Sequence, residues 1–188
     1  MNYRVILNKG TSILRNNSIL TPSIDAELLL SKLIKKSREK ILLNLDEKIS
    51  FQQERLYFDL INRRKKKEPI SCILGNKPFW KYEFKVDKNV LTPRPETELL
   101  VEEVLKINKN SDNLSILDIG LGSGCILISI LKEKKNWKGT GIDISKLALN
   151  TAKTNAKIQQ VDNRIKFINT DVDKLNNNKY DLIVSNPP

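Results

Sequence analysis

The sequence predicts an α/β protein: an open parallel sheet, with its ligand at the carboxyl ends of the strands, preceded by a small all-α domain. Three observations predict it. From residue 114 onward short apolar strands alternate with helical patterns, which is the pattern of a parallel sheet covered by helices. Residues 1–75 show helical spacing alone, with no glycine between Gly10 and Gly75. A glycine-rich turn, Gly120-Leu121-Gly122-Ser123-Gly124, joins the first strand of the alternating part to its first helix.

In the helical part, Val5, Ile6, Ile13 and Leu14 can share one face. Thr21-Pro22-Ser23 is a start signal ahead of Ala26, Leu29, Leu30, Leu33 and Ile34. Ser50 can cap a third helix carrying Phe51, Leu56, Leu60 and Ile61. Residues 76–95 change character. Trp80, Tyr82, Phe84 and Val86 alternate as in a strand or short hairpin, and the stretch reads as a connector. Pro95 then suits the first turn of a helix, where Glu96 and Glu98 favour the positive end of the dipole; Leu99, Leu100, Val101, Val104 and Leu105 continue it.

The domain from residue 96 to 188 is expected to hold four parallel strands, at 114–119, 139–144, 164–169 and 180–185, with helices at 125–134 and 146–158. The strands are near-continuous in apolar residues, as in a sheet buried on both faces. In such sheets ligands bind at the carboxyl ends. Four strands alone leave an exposed edge.

Composition narrows the function. The 188 residues include no histidine, which excludes Ser-His-Asp and Cys-His catalysis and most zinc sites, so no metal is expected. The longest apolar runs are far too short to span a bilayer, and Met1-Asn2-Tyr3-Arg4 lacks the core of an export signal. Cys72 and Cys125 have no disulfide-framework spacing and read as reduced thiols, Cys125 as a small packing residue at a helix start. A cytoplasmic monomer with no membrane partner is expected.

The net charge of +11 invites a nucleic-acid reading, but Lys, Ile and Asn are all over-used, and A/T-rich codons account for that equally well. The sharpest basic run, Arg63-Arg64-Lys65-Lys66-Lys67, follows a helical pattern and reads first as a solvated helix end, second as a docking patch.

The glycine loop is neither a P-loop nor a dinucleotide loop. No Gly-Lys-Ser/Thr follows it, and Cys125 stands where the third dinucleotide glycine would be. Its Gly-x-Gly-x-Gly form, with Asp118 two residues ahead, resembles the S-adenosylmethionine loop of class I methyltransferases, whose sheet is Rossmann-like. Asp143, at the tip of the second strand, could accept hydrogen bonds from both ribose hydroxyls, each contributing about 1.5–3 kcal/mol. It could equally cap the next helix, with Ser145 as rival. Asp171, after the third strand, sits where such folds contact an adenine amino group, and the Val172 backbone amide could serve the ring nitrogen.

The fourth strand leads into Asn186-Pro187-Pro188. A planar amide or aromatic amine nitrogen is a poor nucleophile because its lone pair is delocalised, so it must be held edge-on toward the methyl. The Asn186 side-chain oxygen can accept one N–H and the Pro187 carbonyl the other, while the prolines hold the backbone still. This is positioning catalysis.

Glu68-Pro69-Ile70, Phe79-Trp80, Leu91-Thr92-Pro93-Arg94-Pro95-Glu96-Thr97-Glu98, the glycine loop and Val184-Ser185-Asn186-Pro187-Pro188 together resemble the protein-(glutamine-N5) methyltransferases of peptide chain release factors, the HemK/PrmC type, along the whole chain. The resemblance implies S-adenosyl-L-methionine as methyl donor, held by Gly120, Leu121, Gly122, Ser123, Gly124, Asp143, Asp171, Val172 and Asn186. It implies bacterial release factors as partners, with the glutamine of their Gly-Gly-Gln loop held by Asn186, Pro187 and Pro188. The N-terminal helices would help recognise the release factor. The family's motif continues as Asn-Pro-Pro-Tyr into further strands, so the chain reads as C-terminally incomplete. Two other readings stand beside this one: an adenine-N6 DNA methyltransferase, which shares the tripeptide, and a non-catalytic remnant.

Overall fold

The computed structural model describes residues 1–175 and 179–187, arranged as two compact units, Met1–Leu74 and Gly75–Pro188. The first is all-helical: α1 (Tyr3–Asn16), α2 (Pro22–Ile34), α3 (Arg38–Leu43), α4 (Phe51–Lys65) and α5 (Ile70–Leu74). Asn2 caps α1 through the Val5 amide, and Ser50 and Gln53 form a reciprocal capping box on α4. Ile6, Leu14, Leu29, Leu30, Ile41, Tyr57, Ile61 and Ile73 build the core. Tyr57 lies against Gly10, where a Cβ would come within 2.3 Å of the phenol oxygen, and its hydroxyl donates to the Ala26 carbonyl.

Ile6, Leu14 and Ile61 are buried as their spacing predicts, but the inward faces of α1 and α4 differ in part from that reading. Val5, Phe51 and Leu56 are exposed, whereas Tyr3, Leu7 and Tyr57 are buried. The short helices α3 and α5 were also not expected. The basic run is largely engaged within the unit. Arg63 makes a two-pronged pair with Glu68, Arg64 pairs at 2.6 Å with buried Asp25, and Lys67 donates to the carbonyls of Asn17 and Ser18.

The second unit opens with an antiparallel hairpin, β1 (Asn76–Phe79) and β2 (Tyr82–Lys85), turning at Trp80 with φ +56°. A 3₁₀ turn at Pro95–Thr97 leads into α6 (Glu98–Ile107). Then come β3 (Ser115–Ile119), α7 (Cys125–Glu133), β4 (Lys138–Asp143), α8 (Lys146–Ile158), β5 (Ile165–Asn169) and β6 (Leu182–Ser185). The sheet is parallel, in the order β5-β4-β3-β6, so β3 and β4 are central and β6 follows directly beside β3. This is the α/β architecture expected. Phe79 and Phe84 of the hairpin, Val101 and Val104 of α6, α7, Trp137 and Val184 share one core. Glu133 gathers the hairpin turn: it accepts from the Trp80 indole, the Tyr82 hydroxyl and the Lys81 ammonium. No described helix is long and apolar enough to cross a membrane, and no metal-binding cluster occurs among the described residues.

Candidate functional site

The carboxyl ends of the four parallel strands open on one side of the sheet, and a cavity of about 430 Å³ lies there. Its walls come from the strand tips: Ile119 and the glycine loop after β3, Asp143 and Ile144 after β4, Thr170 to Val172 after β5, Ser185 to Pro187 after β6. Asn89, Val90 and Leu91, beyond the hairpin, close it.

The glycine loop takes left-handed backbone, with φ +73° at Gly120, +54° at Gly122 and +78° at Gly124. At Gly122 this turns the N–H toward Asp143 Oδ2, 2.9 Å away. At Gly124 there is also no room, since a Cβ would meet Ile128 at 2.8 Å and Ala152 at 3.3 Å. Gly124 serves as the entry to α7 and does not line the cavity. Leu121 and Ser123 turn away from it: Leu121 covers Gly141, and both line a cleft of about 40 Å³ between the loop and the Leu91–Pro93 stretch.

Asp143 uses both oxygens inside the protein, Oδ2 on Gly122 and Oδ1 on the Ser145 amide. Ser145, not Asp143, caps α8, through the Ala148 amide. Asp143 thus ties the glycine loop to the start of α8 while facing the cavity. Asp171 caps the 3₁₀ turn at Val172–Lys174 through Oδ1, is exposed, and lines the cavity beside Val172.

Asp118 behaves differently. It is 1 % exposed, and neither carboxylate oxygen has a hydrogen-bond partner among the described residues. Burial pushes its pKa up to about 8, and the charge of Asp143 adds to the rise. Cys125 is buried too, and loss of solvent pushes its thiol up to about 12, as befits an unreactive packing residue.

Asn186 follows the tip of β6, in register with β3 through the Ile119–Ser185 pair. Its Nδ2 donates to the Thr97 hydroxyl at 3.0 Å, so its Oδ1 is left to accept. Pro187 lines the same cavity; Pro188 lies outside the described residues. Gly120, Gly122, Asp143, Asp171, Val172, Asn186 and Pro187 therefore meet on one cavity. Thr97 was not singled out by sequence. The signal was the Pro-Arg-Pro-Glu-Thr stretch, but its partner lies 89 residues on. Chemically, the cavity joins a mostly apolar wall to carboxylates on two adjacent strand tips and a fixed side-chain amide, a setting for a hydroxyl-bearing ligand beside a planar polar group.

Comparison with known proteins matches residues 6–75 to the PrmC N-terminal domain and residues 94–188 to the methyltransferase small domain. The chain is 42% identical over 176 residues to the release factor glutamine methyltransferase of Caulobacter vibrioides, covering 93% of this chain and 61% of that protein. It is 40% identical over 186 residues to the protein of the same name from Clostridium botulinum, covering 97% and 66%. The bifunctional methyltransferase of Rickettsia typhi is 37% identical over 209 residues, covering all of this chain and 40% of that protein. The chain thus spans less than two thirds of the length of these relatives.

Proposed function

The chain belongs to the methyltransferase small domain family, behind a PrmC N-terminal domain, and from this premise we propose that the whole protein methylates glutamine in bacterial release factors. The donor is S-adenosyl-L-methionine, and the acceptor is the side-chain amide nitrogen of the glutamine in the Gly-Gly-Gln loop. One observation carries the reading. Asn186, with its oxygen left to accept, lines the same cavity as the glycine loop and Asp143.

The residues fit the donor. Asp118 is a buried carboxyl without a partner among the described residues, close in sequence to Gly120, and suits a cationic ammonium group. Asp143 keeps lone pairs beyond its two backbone bonds and suits the ribose hydroxyls; Asp171 and the Val172 amide suit the adenine edge. When bound, S-adenosylmethionine supplies an electrophilic methyl on sulfonium sulfur.

The work of this chain is to place the acceptor. Asn186 Oδ1 accepts one N–H of the target amide, and the Pro187 carbonyl accepts the other, which aims the nitrogen lone pair at the methyl. Thr97 holds the Asn186 amide in place. As nitrogen gains the methyl, its N–H bonds to these two acceptors strengthen, because charge develops there. The surplus proton leaves to water afterwards, so the absence of histidine is no obstacle. The helices of the first unit serve release-factor recognition.

Incubation with labelled S-adenosylmethionine and a release factor tests this. Label is expected in the Gly-Gly-Gln peptide and should vanish when the glutamine is replaced. Transfer that survives the replacement, or label appearing in DNA instead, would refute it.

A further inference from the structure

One side chain bonds to two stretches of chain that each lead into a wall of the cavity. Asn155, on α8, is 1 % exposed and makes three hydrogen bonds. Its Oδ1 accepts the Lys85 N–H at 2.7 Å, and its Nδ2 donates to the Lys85 carbonyl at 3.0 Å and the Ser123 carbonyl at 2.9 Å. Toward Lys85 the amide pairs as a neighbouring strand's peptide would, satisfying the outer edge of β2. Toward Ser123 it grips the glycine loop between Gly122 and Gly124.

Asn155 stands in a stripe along α8 that seats the chain after the hairpin. Gln159 donates to the Glu83 carbonyl, Thr151 donates to Asp87 Oδ2, and Ala148 packs with Val86 and Val90. Asp87 in turn accepts the Asn89 amide. The segment so held, Asn89 to Leu91, is the cavity wall that faces Gly120 and Gly122. Both walls are thereby referred to one helix, and Asn155 bonds both to Lys85, at the end of β2 before the Asn89–Leu91 wall, and to Ser123, within the glycine loop, neither of which itself lines the cavity.

We propose that Asn155 is a positioning residue for the methyl donor, fixing the separation between the glycine loop and the Asn89–Leu91 wall. The inference rests on the donor reading above. Substitution removes bonds that the donor never touches, so its effect reaches the ligand only through the walls.

The test uses the 188-residue chain and S-adenosylhomocysteine as probe, with affinity read by calorimetry and backbone exchange by hydrogen–deuterium mass spectrometry. Asn155→Ala is expected to weaken binding at least fivefold and to speed exchange in both 84–91 and 119–124. Asn155→Asp, which sets a carboxylate against two carbonyl oxygens, should do at least as much. Val104→Ala, in the same core but not on the cavity, gives the baseline: a lower melting temperature with affinity within twofold of wild type.

Should Asn155→Ala not fold, Thr151→Val removes the link to Asp87, together with a long 3.4 Å bond to the Leu147 carbonyl within α8. It is expected to weaken binding about twofold to threefold, with exchange raised in 84–91 alone. Affinity of Asn155→Ala no worse than that of Val104→Ala, or exchange raised in only one segment, overturns the inference. An unchanged affinity for Thr151→Val does the same. A wild-type chain that does not bind the probe overturns the donor reading instead, and the exchange data then decide on their own whether Asn155 couples the walls.

Discussion

At Asp118, burial and the neighbouring charge of Asp143 act in the same direction, raising the carboxyl from 3.8 to about 8. A carboxyl whose folded pKa lies above its unfolded value contributes stability at pH below about 4, and that contribution is lost as pH rises through about 8. Without ligand, the wild type should therefore lose stability between pH 5 and 8, by an amount on the order of a few kcal/mol. Asp118→Asn should flatten this slope in thermal melts and weaken S-adenosylhomocysteine binding at least tenfold, about 1.4 kcal/mol. Equal slopes in the two proteins would show that Asp118 is not the titrating group. Thr97 carries a second test at this scale. Thr97→Ala removes one neutral hydrogen bond, usually about 0.5–1.5 kcal/mol, so kcat should fall by up to tenfold with donor affinity unchanged, while Thr97→Ser retains activity.

Among the elements, those set by local signals were legible in the sequence. The helix expected at 146–158 occupies those residues, because Ser145 caps it and no competing partner moves its ends. The strands were placed within a residue or two from their apolar runs, although the edge strands are not covered on both faces, Ile183 of β6 being 57% exposed. The helical unit was less legible. Which face of α4 turns inward is decided by Tyr57 filling the space left by Gly10, a contact between helices that periodicity does not register. Phe51 and Leu56 consequently point outward although their spacing fits an apolar face. At the site, the glycine loop and the strand-tip carboxylates could be read locally. Thr97 and Asn155 could not, since each acts through a partner 32 to 89 residues away.

The Arg63–Lys67 run shows the same limit, for as a string it is a charge cluster, whereas Arg64 is the counter-ion of Asp25, whose side chain is 3% exposed. Removing one member of a buried pair strands the other, at about 3–5 kcal/mol. Arg64→Ala should lower the urea midpoint of the helical unit accordingly. A loss under about 1 kcal/mol would mark the pair as an ordinary surface one.

For the whole molecule, the decisive feature is that the two hydrophobic cores draw on different residues, one within 1–74 and one within 75–188. The cavity is lined entirely from the second. A ligand that binds only the folded form stabilises what it binds by RT ln(1 + [L]/Kd), about 2.7 kcal/mol at a hundredfold excess over Kd. Calorimetry should therefore resolve two transitions, and S-adenosylhomocysteine should raise the one belonging to the α/β unit by several degrees while leaving the helical one in place. The assignment is checked with the two variants that mark each unit: Arg64→Ala should lower only the ligand-independent transition, and Asp118→Asn should abolish most of the ligand's shift in the other. A single transition that moves as one under both ligand and Arg64→Ala would mean that the units unfold cooperatively. The helical unit would then feel donor binding without lining the cavity, and the separation of recognition from chemistry drawn from the two cores would have to be abandoned.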